Sequence, residues 1–434
     1  MSITENDVKV WRSADYRWWF AGDSAAALGG GLRNFATPLL AIATTGSATA
    51  AGFISSAVSF ALVIGIFYGG LAADKLNKKF VMLRVSLVCV IAYALIAGLS
   101  LFGTLNGWLL TVLLVVGVLA YGLTSPVSDA TLRSIVPTNL YPQALAINDG
   151  RNSVLEIAGS PIGGFLYSVA PGWPFMAAAF GTAVNGFSFL RIKANLDPHT
   201  QATEPSEDKD DQPITARKKV WAHLKEANAG VIFIFHNAII RVLAVGSLLL
   251  NVGFSGIFQT IIFTWYDDGR SALVIGLLSA SLAAGTIVGA LLTGKLTRRF
   301  ATGTLLMCAF LWAAITLSAL VVFHTPWQVI GILALTGLVL PLANAAGLGF
   351  MVTAAGEEKQ GRVISAQTML GMAATPLALI FAGFSYDQFG AQTTLAIMSV
   401  PLAIAVVYIG SNRKLRTVPR ADQWDDFLSN NNQL

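Results

Sequence analysis

Twelve apolar runs follow one another along this chain, at 17–43, 50–73, 80–103, 108–133, 148–170, 174–192, 237–264, 272–294, 301–323, 327–351, 362–386 and 392–411. Each is close to the roughly 20 residues that a helix needs to cross the hydrocarbon of a bilayer. A soluble domain is about 25% charged, whereas here only 12% of residues are charged, 55% are hydrophobic and the mean hydropathy is +0.65. The expectation is an all-α membrane protein of twelve transmembrane helices.

Basic residues set the orientation. With the N-terminus in the cytoplasm, Lys9, Arg12, Arg17, the Lys75–Arg84 turn, the 193–236 segment, Lys295–Arg299 and the Arg413–Arg420 tail all fall on one side, leaving Arg33 and Arg270 elsewhere. That is the bias the positive-inside rule requires. The net charge of +5 is then explained by cytoplasmic loops facing anionic lipid, with no need for a nucleic acid. The first sixteen residues lack the short apolar core and small-residue site of a cleaved signal peptide. Outer loops are short and carry no Asn-x-Ser/Thr acceptor, which suits a bacterial inner membrane.

A repeat divides the chain. Residues 70–80, GLAADKLNKKF, return 220 positions later as 290–300, ALLTGKLTRRF, with Gly65 and Gly69 answered by Gly285 and Gly289. Two related halves follow, 1–192 and 237–411, joined by a cytoplasmic linker at 193–236 and ending in a tail at 412–434. In the linker, residues 197–215 are rich in carboxylates and proline and read as disordered. The pattern Val220, Trp221, Leu224, Ala227, Val231 with Lys218, Lys219 and Lys225 reads as an amphipathic helix on the membrane surface.

The glycine, Asp74 and the basic residues of the first copy resemble the loop between helices 2 and 3 of the major facilitator superfamily. This resemblance implies two pseudo-symmetric six-helix halves that rock around a central site and move small solutes. It also implies a conformational charge relay: Asp74 and Lys78 with Asp129 and Arg133, whose i,i+4 spacing places the last two on one helix face. Asn77 stands where the family usually has glycine, and Gly294 replaces Asp74 in the second copy. In the fifth span, Gly150, Gly159, Pro161, Gly163 and Gly164 resemble the helix-5 motif of drug/proton antiporters, with Ser160 where glycine is usual. Pro161 is expected to kink this helix, and the glycines to let it pack against the other half. The first span, the loop between the fourth and fifth spans and the 239–243 segment resemble the branch that includes macrolide exporters and the enterobactin exporter.

Charges inside the spans are the candidate functional groups, because an unpaired charge there costs at least about 3 kcal/mol. Asp23 and Glu156 are the expected proton carriers. Asp23 has a gate ion pair as its structural alternative, and Arg33 an outer-gate salt bridge or a path to the outer surface. Trp18 and Trp19 read as interface anchors. Arg33, Phe35, Asn251 and Asn344 are the expected cavity residues, with Gln259, Gln367 and Thr368 as further polar groups. Cys89 and Cys308 read as small core residues. No phosphate loop, His/Cys metal cluster or nucleophile motif is present in the sequence, so neither an enzyme nor a cofactor or metal is expected.

The leading reading is a monomeric secondary transporter that exports an amphipathic small molecule, of drug, macrolide or siderophore type, in exchange for protons. Its partners would be that substrate, protons and membrane lipids. Two alternatives stand beside it: a lipid or lysophospholipid flippase in which Arg33 meets a phosphate, and a non-transporting receptor or scaffold acting through 193–236.

Overall fold

The computed structural model describes residues 10–197, 232, 234–356 and 360–430. Residues 198–215 of the acidic stretch, the amphipathic pattern from Lys218 to Val231, and Glu357 and Glu358 lie outside the described residues. Among the described residues all regular structure is helical: α1 (Ala14–Thr45), α2 (Ala48–Lys75), α3 (Lys78–Leu101), α4 (Gly107–Ile135), α5 (Tyr141–Val169), α6 (Trp173–Arg191), α7 (Ala238–Asp267), α8 (Ala272–Arg299), α9 (Thr302–Ala319), α10 (Pro326–Gly337), α11 (Leu340–Ala355) and α12 (Gln360–Ser411), then two short tail helices, α13 (Arg413–Arg416) and α14 (Trp424–Asn430). Eight helical stretches among them are long and apolar enough to cross a membrane.

Local chemistry sets the boundaries. Gly46 takes the left-handed conformation (φ 65°) that ends α1, and Ser47 caps α2 by accepting the Ala50 N–H at 3.2 Å. Asn77 caps α3 by accepting the Lys79 N–H at 3.1 Å, with φ −61°, so the turn after α2 needs no glycine there. That explains how asparagine can occupy the position. Three boundaries differ from the sequence expectation. Helix α5 begins at Tyr141, seven residues before 148, because a 3-10 turn at Thr138–Leu140 and Pro142 in its first turn start it early. The expected span 327–351 is broken between α10 and α11, where Pro341 has no N–H to continue the ladder. Spans 362–386 and 392–411 meet inside α12 at Gly390, whose φ of 77° and ψ of 175° break the helix without a separate loop.

Two compact units result, Met1–Ser206 with Ile262–Ala280, and Glu207–Ile261 with Ser281–Leu434. In the first unit α1 packs on α5 and α6, and α2 on α4. The glycines of the repeat make these approaches possible. A Cβ on Gly65 would lie 2.9 Å from Gly122 Cα, and one on Gly69 2.9 Å from Leu123 Cα. In the second unit a Cβ on Gly285 would lie 3.1 Å from Ala334 Cα, and one on Gly289 3.0 Å from Leu338 Cα. Each repeat copy therefore marks the same kind of backbone-to-backbone contact, α2 on α4 and α8 on α10. The core of the second unit also takes in the tail. Leu415 and Val418 are fully buried, and the Trp424 indole donates to Thr302 Oγ1 at 3.0 Å while packing edge-on against Phe350.

Candidate functional site

The first unit holds an ion pair between α1 and α5. Arg151 Nη2 binds Asp23 Oδ2, and both side chains are mostly buried. Ser128 of α4 donates its hydroxyl to Asp23 Oδ1 at 2.5 Å, and the Trp19 indole N–H donates to Ser128 Oγ at 2.9 Å. The guanidinium also reaches Ser24 Oγ at 3.2 Å and Asn152 Oδ1 at 2.7 Å, and stacks over Phe20 at 5.0 Å. One carboxylate thus ties three helices together through charge-assisted hydrogen bonds. Of the two tryptophans expected at the interface, Trp18 is 39% exposed whereas Trp19 is fully buried. Trp19 is a donor inside the bundle, because its indole N–H, once buried, takes the Ser128 hydroxyl as partner.

Arg33 lies further along α1 and is 1% exposed. It neither snorkels nor forms a salt bridge among the described residues. Its Nη1 donates to the Tyr93 hydroxyl at 2.6 Å, its Nη2 to Asn34 Oδ1 at 2.8 Å, and its guanidinium lies 4.5 Å from the centre of the Tyr121 ring. Its Nε has no hydrogen-bond partner. Two tyrosines therefore replace a carboxylate as the neighbours of a buried cation, one by its oxygen and one by its π-face. Phe35, expected with Arg33 in a cavity, is buried at 8% exposure, and the Gly163 backbone packs against its ring.

Helix α5 behaves as a close-packing element. A Cβ on Gly159 would sit 2.9 Å from Gly31 Cα, and one on Gly164 would sit 2.5 Å from the Ala272 carbonyl oxygen. Gly276 returns the contact, its Cβ position lying 2.6 Å from the Ser160 carbonyl oxygen. Gly150 has no such neighbour, and the helix continues unbroken through Pro161. Glu156 belongs to α5, but its side chain lies outside the described set. At the turn after α2, the four expected relay residues are not joined by ion pairs among the described residues. Lys78 Nζ donates to Ser134 Oγ at 3.2 Å, Arg133 Nε donates to the Tyr141 hydroxyl at 3.2 Å, and Asp74 and Asp129 are exposed. Hydroxyls close to the cations take up their hydrogen bonds in place of the carboxylates.

In the second unit Asn251 and Asn344 do face a common space, a cavity of about 140 Å³ between α7, α9, α11 and α12 that Gln367 also lines. Gln259 is buried elsewhere at 5% exposure, and Thr368 is exposed. Cys89 and Cys308 are free thiols, the first buried and the second exposed.

A family model described as Major Facilitator Superfamily matches this chain over residues 23–269 and again over 243–426. The chain belongs to the major facilitator superfamily. Among curated proteins this facilitator is 25% identical over 416 residues to the multidrug efflux pump Tap of Mycobacterium tuberculosis, covering 92% of this chain and 94% of Tap. It is 25% identical over 343 residues to the enterobactin exporter EntS of Escherichia coli, covering 77% and 76% of the two chains. Of solved structures, a bacterial homologue of the human lysosomal transporter Spinster, in an inward-facing and occupied conformation, aligns over 91% of this chain and 95% of its own with a TM-score of 0.68 at 14% identity. The nucleoside transporter NupG aligns over 92% and 99% with a TM-score of 0.65 at 15% identity. These likenesses carry the fold. The protein is a multi-pass membrane transporter of small molecules and not an enzyme.

Several residues of this facilitator's polar sites gave little signal in the sequence. Arg151 stood at the edge of an expected span that began at 148, and only the earlier start of α5 places it well within the helix. In the structure 151 and 23 differ by the same 128 positions as the contacting Gly159 and Gly31, the register of two parallel helices. Ser128, Tyr93 and Tyr121 are ordinary residues in apolar runs, and nothing in their spacing marks them as partners of buried charge.

Proposed function

We propose that this facilitator exports an amphipathic small molecule of drug, macrolide or siderophore type in exchange for protons, by alternating access in a bacterial inner membrane. One observation carries the reading: near full-length similarity to a multidrug efflux pump, with an enterobactin exporter matching over three quarters of the chain. The Asp23–Arg151 pair supports coupling, because a mostly buried carboxylate held by a cation on another helix is an element whose pairing a proton or a cargo can change. Asp23 and Glu156 are the proposed carriers. Asp74, Lys78, Asp129 and Arg133 are proposed to steady one conformational state, and the separate hydroxyl partners of Lys78 and Arg133 suit a relay that closes in another state.

The test is substrate-triggered proton release from energised everted vesicles, with a fluorescent cationic dye and a catecholate siderophore as cargoes. The wild type is expected to move protons on cargo addition, and Asp23→Asn and Glu156→Gln to lose that response. Wild-type coupling in both variants would remove the carrier assignment; a dye flux independent of the gradient would remove antiport. The flippase reading has a single observation in its favour, the buried Arg33 guanidinium without a carboxylate partner among the described residues, which could take a phosphate. Loss of lysophospholipid movement with retained dye export in Arg33→Ala would establish it, and absence of lipid movement by the purified protein would exclude it.

A further inference from the structure

Trp19, Ser128 and Asp23 form a chain of hydrogen bonds whose direction is fixed by chemistry. Trp19 is fully buried and Ser128 is 3% exposed. An indole nitrogen can only donate, whereas a serine hydroxyl has one hydrogen to give and two lone pairs to receive with. The Trp19 N–H is shared between Ser128 Oγ at 2.9 Å and the Ser128 carbonyl at 3.2 Å, so the hydroxyl oxygen is engaged as an acceptor. Its hydrogen goes to Asp23 Oδ1 at 2.5 Å, while Arg151 holds Oδ2. Trp19 and Asp23 stand one turn apart on the same face of α1, and both reach Ser128. A hydroxyl on a helix has a nearer partner, the carbonyl one turn back. Thr111, Thr124, Thr131 and Ser134 of α4 take that partner, donating to carbonyls of the preceding turn at 2.6–3.0 Å. Ser128 is turned toward the carboxylate instead.

We infer that Trp19 is a positioning residue for Asp23 in the exchange cycle, its indole N–H holding the Ser128 hydroxyl with the hydrogen on the ionised carboxylate. When Asp23 Oδ1 takes a proton, the carboxyl becomes the donor and the Ser128 hydrogen turns back to the Thr124 carbonyl of its own helix. Ser128 keeps its proton throughout, and only the direction of its bond to Asp23 reverses. Trp19 therefore favours the ionised arrangement paired with Arg151. The inference rests on the reading of Asp23 as a proton carrier and adds the residue that positions it. The charged and titratable groups around Asp23 are Arg151 on α5, with Glu156 further along that helix, and Asp129 and Tyr121 on α4. Helices α2 and α6 carry charge only in their last turns, at Asp74, Lys75 and Arg191, and α6 packs beside Asp23 with the uncharged Ser188 and Asn185 against Gly22.

The test removes one N–H and leaves every charged group in place. With benzothienylalanine substituted for Trp19, the fused ring stays and sulfur replaces the donor. The carboxylate stretch of Asp23 is isolated as the infrared difference between the full chain in lipid nanodiscs and Asp23→Asn. It should shift in the analogue protein in the same sense as in Ser128→Ala, and the two changes together should add nothing further. In energised everted vesicles, dye-triggered proton release should fall about fivefold in the analogue protein, which is about 1 kcal/mol, the worth of one neutral hydrogen bond. The same replacement at Trp18, which is 39% exposed, should alter neither signal. If the analogue protein fails to fold, Trp19→Phe decides by the same two readouts. An unmoved carboxylate band would overturn the inference, as would additive shifts or proton release that stays at the wild-type level. A shifted band with no proton release from the wild type leaves the positioning of Asp23 standing and removes proton exchange; wild-type release with an unmoved band removes the positioning role and leaves exchange standing.

Discussion

A carboxylate and a guanidinium mostly removed from water are worth more to this fold as a pair than either is alone. Truncating one partner leaves the other charge in the bundle interior, which costs about 3–5 kcal/mol in buried pairs. Arg151→Ala should therefore destabilise the protein by about 3 kcal/mol, leaving Asp23 with only the Ser128 hydroxyl. Asp23→Asn combined with Arg151→Gln should recover most of that loss, because the two amides can bond to each other without a net charge. Unfolding in mixed detergent micelles, run as a double-mutant cycle, checks both values, and additive losses would deny the coupling. Asp23 was legible in the sequence as a costly intramembrane charge. Its partner was not, since Arg151 sits in a polar stretch, Asn148 to Ser153, that reads equally well as a loop. Arg33 carries the same lesson: its charge was visible in the apolar run, but the Tyr93 hydroxyl and Tyr121 ring that accommodate it lie 60 and 88 positions away in sequence.

Between helices, glycine decides how close two backbones come. Gly65 and Gly285 occupy equivalent places in the two repeat copies, each against the backbone of a helix two elements on, where an added Cβ would fall within 3.1 Å of that helix's Cα atoms. Gly65→Ala and Gly285→Ala should each cost about 1–3 kcal/mol from overpacking and lower the yield of folded protein. Gly70→Ala is the control: its Cβ would meet nothing within 4 Å, and alanine is a better helix former by about 1 kcal/mol. Thermal melts of the three variants should order as Gly70→Ala at or above wild type and the other two below it; equal melts would mean that the backbones separate freely. The repeat made these contacts legible as a pattern, but only half of each contact. The partner glycines Gly122 and Gly337 are 215 positions apart, not 220, because the segments between repeat and partner differ in length, and so they escape a search at constant offset.

For the molecule as a whole, we propose from the asymmetry of Lys and Arg that both termini lie in the cytoplasm. A reporter fused after residue 430 should be active as a cytoplasmic enzyme fusion and silent as a periplasmic phosphatase fusion, whereas fusions within 104–106 should give the opposite pattern; the reverse result would invert the topology and with it the direction assigned to transport. The C-terminal tail is part of that whole. Trp424 seals against Phe350 and bonds to Thr302, so the chain past α12 is built into the second unit although its sequence, polar and short, suggested only a cytoplasmic extension. What composition and local pattern settled is a membrane-embedded all-helical chain, a glycine pattern repeated 220 positions apart, and which residues would be costly in lipid. Tertiary structure alone decided which of those costly residues meet a partner, that Lys78 and Arg133 turn to hydroxyls, and that Asn251, Asn344 and Gln367 share one cavity. The reason is physical. Hydropathy and helix propensity act within a few turns of chain, while a buried polar group is satisfied by whichever atom packing brings within about 3 Å, and that neighbour can come from anywhere in the sequence.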